Sequence, residues 1–202
     1  MSAKAVFLDK DGTLIDDIPY NVNPSLIRLS AGALEALSLL QEEGYRLIVV
    51  TNQSGVARGY FEEKELQRVE EKLRELLASA GIFLNGFYYC PHYPDGEMSQ
   101  YAVECFCRKP QPGMIYQAAL EHRLTLKDCW LVGDILNDME AGNRAGCRTV
   151  LLDNDNETEW NMTSIRRPGF IVSNLLEAAQ IIVTECRKQD LNDGEHEQRF
   201  DK

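Results

Sequence analysis

No apolar run in this chain approaches the length needed to span a bilayer. Residues 1–10 hold no apolar leader core ahead of the first strand-like segment. Both absences argue against a helical membrane span or a leader and lead to the expectation of a cytoplasmic protein with no membrane partner. Basic residues are scarce: 21 Lys and Arg stand against 32 Asp and Glu, a formal net charge of -11. That balance repels nucleic acid, and no basic stripe offsets it, so no nucleic-acid partner is expected. An anionic small molecule would need a local positive site built from metal and a few basic side chains. There is no internal repeat and no linker. The 202 residues suit one domain, expected over 1–188, with the nearly all-polar stretch 189–202 read as a disordered tail. No exposed apolar face stands out, so a monomer is expected.

What is present alternates in period. Short apolar runs at 5–8, 47–50, 87–89, 130–133 and 148–152 read as buried strands. Helical spacing marks 31–43, 62–80, 114–122, 137–145 and 175–188, several of them closed by a glycine. This alternation predicts an α/β fold with a doubly wound, mainly parallel sheet. Ligands of such sheets bind beyond the carboxyl ends of the strands.

The residues at those ends form a coherent set: Asp9 and Asp11 after the first strand, Thr51 and Asn52 after the second, Lys109 on a nearby loop, and Gly133-Asp134 after a later one. A carboxylate such as Asp9 can attack phosphorus and split hydrolysis into two easier steps. A second one, Asp11, can protonate the leaving oxygen and later deprotonate water. A hard divalent cation would offset the repulsion between nucleophile and phosphate, with Asp134 as a further oxygen ligand. The Thr51 hydroxyl can donate to a phosphate oxygen, Asn52 can orient the site, and Lys109 can neutralise charge. Each piece has a plain structural reading: Asp-x-Asp-Gly as a turn, Thr-Asn as a strand-end cap, Gly-Asp as a turn before an N-cap, Lys109 as a solvated surface charge. Their joint placement at successive strand ends favours chemistry.

Six cysteines in a chain expected to stay in a reducing compartment read as metal ligands or buried thiols. Cys90, His92, Cys105 and Cys107 form a C-x-H…C-x-C set suited to tetrahedral Zn2+ with no position left for water, hence a structural ion. The loop 90–107 has little core of its own, and a metal would order it. It runs directly into Arg108-Lys109-Pro110. Cys129, Cys147 and Cys186 read as ordinary buried thiols, and His122 and His196 as surface residues.

The segments F-L-D-K-D-G-T (7–13), V-T-N-Q-S-G (50–55), R-K-P (108–110) and V-G-D-I-L-N-D (132–138) resemble the four signature motifs of the haloacid dehalogenase (HAD) superfamily. The resemblance covers about residues 5–152. It implies a nucleophilic Asp9, a general acid/base Asp11, and Mg2+ held by the Asp9 side chain, the Asp11 main-chain carbonyl and Asp134, with Asp138 as a further acidic position. C-P-H-Y-P (90–94), C-F-C-R-K-P-Q-P-G-M (105–114) and T-N-Q-S-G-V-A-R-G (51–59) are similar to the nearly capless subgroup of heptose bisphosphate 7-phosphatases and histidinol-phosphate phosphatases, which carry such a zinc loop. By that resemblance Asp17, Tyr20, Thr51, Asn52, Gln53, Ser54, Arg108 and Lys109 contact a small phosphorylated metabolite, a sugar bisphosphate, with Arg108 toward its distal end. Two positions depart from the heptose pattern: Ile135 stands where a lysine follows Gly-Asp, and 17–20 lacks a His-Gly pair. The motifs therefore leave the sugar and its anomer open. The alternatives are a histidinol-phosphate phosphatase and, in a different class, an inactive zinc-stabilised binding protein.

Overall fold

A computed structural model describes residues 3–200, with side chains to Lys188. Six strands alternate with five helices: β1 (Ala5–Leu8), α1 (Ala33–Glu42), β2 (Arg46–Asn52), α2 (Glu65–Ala78), β3 (Leu84–Cys90), α3 (Gly113–His122), β4 (Trp130–Gly133), α4 (Leu136–Ala145), β5 (Arg148–Leu152), β6 (Phe170–Val172) and α5 (Leu175–Phe200). The strands make one sheet in the order β3-β2-β1-β4-β5-β6, and every pairing is parallel. This is the expected doubly wound architecture.

Period-two alternation explains how so short a strand as β1 anchors two cores. Val6 and Leu8 face one side, with Leu37, Leu40, Leu73, Leu77 and Ile182 from α1, α2 and α5. Ala5 and Phe7 face the other, with Met114, Ile115, Leu136 and Met139 from α3 and α4. All four β1 side chains are fully buried. Each large one contributes on the order of 1.5–3 kcal/mol by leaving water. Phe7 lies in register with Ile48 on one side and Leu131 on the other. From β1 the chain winds outward to β2 and β3, and from β4 to β5 and β6. The reversal between β1 and β4 opens a crevice at their carboxyl ends.

Several expectations shift at their edges. The helix predicted over 31–43 begins at Ala33, because Gly32 sits at a φ of 76° before it. The one predicted over 62–80 begins at Glu65, after i→i+3 turns from Glu62 and Glu63. The strand β6 and the connection 153–169 carry no periodic signal in the sequence. The final helix, predicted to stop at 188, continues to Phe200; the disordered tail expected over 189–202 falls on residues whose side chains lie outside the described ones. Among the described residues no helix is long and apolar enough to cross a membrane.

Candidate active site

The chain turns sharply after β1. The Asp9 N–H donates to Val132 O at 3.0 Å, pinning the residue to β4 at the reversal point. Gly12 then adopts a φ of +74°, and a Cβ there would meet Asp134 Oδ2 at 2.1 Å. Only glycine supplies both that conformation and that close approach.

Asp9, Asp134 and Asp138 are all buried, and each offers an oxygen within 4.8 Å of the others. One cation stands among them. The Lys109 ammonium donates to Asp9 Oδ1 at 2.6 Å and to the Val50 carbonyl at 2.9 Å, and ion-pairs with Asp138 Oδ1 at 2.5 Å. Burial works against its charge, but Asp138 and Asp9 outweigh that and hold its pKa above the ordinary lysine value. The Ile135 N–H donates to the other Asp138 oxygen at 3.3 Å. Among the described residues no cation pairs directly with Asp134, and burial, then the charges of Asp9 and Asp138, push its carboxyl up to about 8, although the Lys109 charge pulls it down. Asp138 is pushed up to about 6, by burial first, against the lowering pull of Lys109. Three buried carboxylates with one ammonium leave an excess of negative charge. Hard oxygen donors so arranged suit a small divalent cation.

The main chain of Lys109 is fixed from β2. Asn52 Nδ2 donates to the Lys109 carbonyl, and the Lys109 N–H donates to Asn52 Oδ1, both at 3.0 Å. Gln53 Nε2 bridges Asp11 Oδ2 at 3.0 Å and Thr51 Oγ1 at 2.9 Å, which leaves the Thr51 hydroxyl proton free to donate elsewhere. Lys10 Nζ holds the other Asp11 oxygen at 2.6 Å. Desolvation nonetheless dominates and raises the Asp11 pKa, favouring the protonated form that a general acid needs.

Asp17, Tyr20, Asn52, Gln53, Ser54 and Arg108 line one cavity of about 410 Å³, together with Lys10, Asp11 and Ile135. Six of the eight expected substrate residues thus line one cavity beside Asp11, whereas Thr51 and Lys109 are not among its lining residues. Asn52 uses both polar groups of its side-chain amide on Lys109, so its geometry is that of a support for the lysine. The sequence reading missed Lys10, Gln53 as a partner of Asp11, and Asn156, whose Nδ2 donates to Asp134 Oδ2 at 2.7 Å. Lys10 and Gln53 lie inside the 7–13 and 50–55 segments, but their contacts with Asp11 are not given by the spacing; Asn156 comes from a connection without a motif.

Cys90, His92, Cys105 and Cys107 converge as expected. Cys107 Sγ lies 3.2 Å from the sulfurs of Cys90 and Cys105, and 3.3 Å from His92 Nδ1. Cys90 and Cys105 are 3.5 Å apart, and all six cysteines are free. A cation with bonds of about 2.3 Å to sulfur fits such spacing, and three thiols with an imidazole are the donors zinc prefers. The cluster is tied to the cavity: the Arg108 guanidinium donates to His92 O at 3.2 Å and lies 5.1 Å from the Tyr93 ring. Cys129, Cys147 and Cys186 are buried. His122 is half-buried, edge-on to Tyr88 at 6.3 Å; His196 lies outside the described side chains.

Comparison with known proteins is consistent with this site. The family described as HAD-hyrolase-like matches residues 106–178. The D-glycero-beta-D-manno-heptose-1,7-bisphosphate 7-phosphatase of Haemophilus ducreyi is 44% identical over 153 residues, 75% of this chain and 84% of that one. The D-glycero-alpha-D-manno-heptose-1,7-bisphosphate 7-phosphatase of Photorhabdus laumondii is 34% identical over 177 residues, 86% of this chain and 97% of that one. Among solved structures, the D,D-heptose 1.7-bisphosphate phosphatase of B. bronchiseptica, complexed with magnesium and phosphate, superposes with a TM-score of 0.77 at 30% identity, covering 90% of this chain and 99% of that one.

Proposed function

This chain belongs to the HAD-like phosphatase family of the heptose-1,7-bisphosphate 7-phosphatases, and on that premise we propose that it removes the 7-phosphate of a D-glycero-D-manno-heptose 1,7-bisphosphate through an aspartyl-phosphate on Asp9. The observation that carries this reading is the contact between Lys109 and Asp9 at 2.6 Å, next to a cavity that holds Asp11. An Asp9 oxygen bonds to phosphorus while the bond from phosphorus to the sugar oxygen breaks. Asp11 gives its proton to that oxygen. The ionised Asp11 then takes a proton from water as the water oxygen attacks phosphorus, which releases inorganic phosphate and restores Asp9. Lys109 and the Thr51 hydroxyl donate to the phosphoryl oxygens.

The donor set fits Mg2+, held by Asp9, Asp134 and the Asp11 carbonyl, which would supply positive charge where nucleophile and phosphate meet. Asp138, engaged by Lys109, keeps the lysine charged and in place. Zn2+ on Cys90, His92, Cys105 and Cys107 would order the 90–107 loop and with it Arg108 and Lys109. Arg108, Asp17, Tyr20, Gln53 and Ser54 are assigned to the sugar and its distal phosphate. We place the enzyme in the cytoplasm, as a monomer of one domain over 1–188.

The test is phosphate release from both heptose 1,7-bisphosphate anomers and from histidinol phosphate, ranked by kcat/KM. A heptose bisphosphate is expected to lead by at least tenfold. Preference for histidinol phosphate would overturn the substrate assignment, and no turnover of any of the three would return the inactive binding protein.

A further inference from the structure

The connection 153–169 reaches back over the site, and three of its residues each hold a different part. Asn154 Nδ2 donates to the Gly12 carbonyl at 2.7 Å, gripping the turn after β1. Asn156 Nδ2 donates to Asp134 Oδ2 at 2.7 Å. Glu157 Oε2 accepts from the Leu136 N–H at 2.6 Å, capping the first turn of α4. Asn154 Oδ1 also accepts from the Asn156 N–H at 3.4 Å. Asn156 lies so close over the turn that a Cβ on Gly12 would meet its Nδ2 at 2.4 Å.

We propose that Asn156 is a positioning residue for the magnesium centre, fixing the carboxylate of Asp134, one of the residues that would hold the cation. The inference rests on the Mg2+ reading above. The chemistry favours an amide at this place. A lysine or arginine on Asp134 would neutralise the carboxylate and compete with a metal ion, whereas an amide hydrogen bond orients it and leaves its charge in place. Asn156 occupies Oδ2, while among the described residues Oδ1 takes a long 3.5 Å contact from the Thr13 hydroxyl. Asp9 and Asp138 share Lys109, so among the described residues Asp134 is the member of the trio whose hydrogen bonds come from neutral donors. Partners of this kind orient metal ligands and are worth about 10–100-fold in metal affinity.

The experiment is calorimetric titration of Mg2+ into the full chain, freed of Mg2+ and checked for zinc content and far-UV dichroism, for the wild type, Asn156→Ala, Asn156→Ser and Asn154→Ala. Asn156→Ala is expected to raise the Mg2+ dissociation constant about 10–100-fold, with kcat recovering toward wild type at saturating Mg2+. Asn156→Ser, which keeps a shorter donor, should fall between and serves if the alanine variant folds poorly. Asn154 grips the same turn and accepts from the Asn156 N–H without touching Asp134, so Asn154→Ala should change affinity by less than about threefold, well short of the loss in Asn156→Ala. Unchanged affinity in Asn156→Ala, or equal losses in both alanine variants, overturns the inference alone. A wild-type chain that binds no Mg2+ overturns it together with the magnesium reading.

Discussion

The Lys109 ammonium lies 2.6 Å from Asp9 Oδ1, and neither side chain is more than 11% exposed. Asp138 Oδ1 sits 2.5 Å from the same nitrogen. A buried ion pair of this kind is weak evidence for stability, since desolvation offsets much of the attraction, but removing one partner strands the other. The arrangement is thus better explained by what it does to Asp9 than by what it adds to folding.

Lys109→Ala should therefore harm both properties. Losing the one cation among three buried carboxylates is expected to destabilise by about 3–5 kcal/mol, less whatever proton uptake by the acids recovers. Loss of a donor to the phosphoryl oxygens should lower kcat on the order of 10²–10³-fold. Lys109→Arg should not restore activity, because a planar fork cannot replace a point charge held by Asp9, Asp138 and the Val50 carbonyl. Urea unfolding and steady-state kinetics on both variants check this; an active Lys109→Ala would sink the assigned role.

Asp9→Asn isolates the nucleophile. The amide is isosteric and can still sit beside Lys109, so the far-UV dichroism and zinc content should match the wild type. Turnover should fall below detection, because an amide does not form the acyl phosphate. Mass spectrometry of acid-quenched wild-type reactions should find a phosphate-sized adduct on the peptide bearing Asp9, absent from the variant.

Much of this site is legible in the sequence because three of the four motifs sit where a buried strand ends and the fourth, 108–110, in the loop before a helix. With the apolar runs at 5–8 and 130–133 as parallel strands, Asp9 and Asp134 both fall at the carboxyl edge of the sheet, and the pairing of β1 with β4 brings them into one crevice. The cysteine set was legible by spacing. What stayed hidden depends on contacts between segments distant in sequence. Asn156 meets Asp134 across 22 positions, from a connection rich in polar residues that reads locally as a turn. The strand β6 is three residues long and only half-buried, too short for a periodic signal. The strand-end place of Asn52 suits a residue that orients the site, and the resemblance implies a substrate contact; its use on the Lys109 main chain requires the 109 loop to fold back across β2.

Asn52→Ala tests that support. Both bonds to the Lys109 main chain disappear, and the lysine should wander from Asp9. If Asn52 chiefly holds the lysine, kcat should fall about 10–100-fold with little change in KM, as for a contact expressed in the transition state. A rise in KM at constant kcat would instead return Asn52 to substrate binding.

Elemental analysis of protein prepared without chelator should find about one zinc per chain, as expected for a closed four-ligand site. Cys105→Ser should release it and lower the Tm, by about 2–4 °C for each kcal/mol lost in a chain of this size. Because Arg108 is tied to His92 O, the same variant should weaken substrate binding though no zinc ligand enters the cavity. A zinc-free chain of full stability would remove the structural-metal reading.

The acidic cluster makes stability depend on pH in a direction opposite to that of a salt-bridged surface carboxylate. Asp134 titrates near 8 in the folded chain, against about 3.9 when unfolded. Between those values the folded state binds more protons than the unfolded one, so stability falls as pH rises through the window. Asp138, near 6, adds the same sign over its lower part. Mg2+ binds the ionised carboxylates and competes with the protons. The Mg2+-free protein should therefore lose Tm between about pH 6 and pH 8, and added Mg2+ should raise Tm more at the upper end than at the lower. Differential scanning calorimetry at both ends, with Mg2+ and with chelator, measures the two effects separately. The chelator arm needs zinc-saturated protein, so that loss of the cysteine-bound ion does not mimic the loss of magnesium. A Tm gain from Mg2+ that is equal at both pH values would mean that the cation does not bind where Asp134 holds its proton.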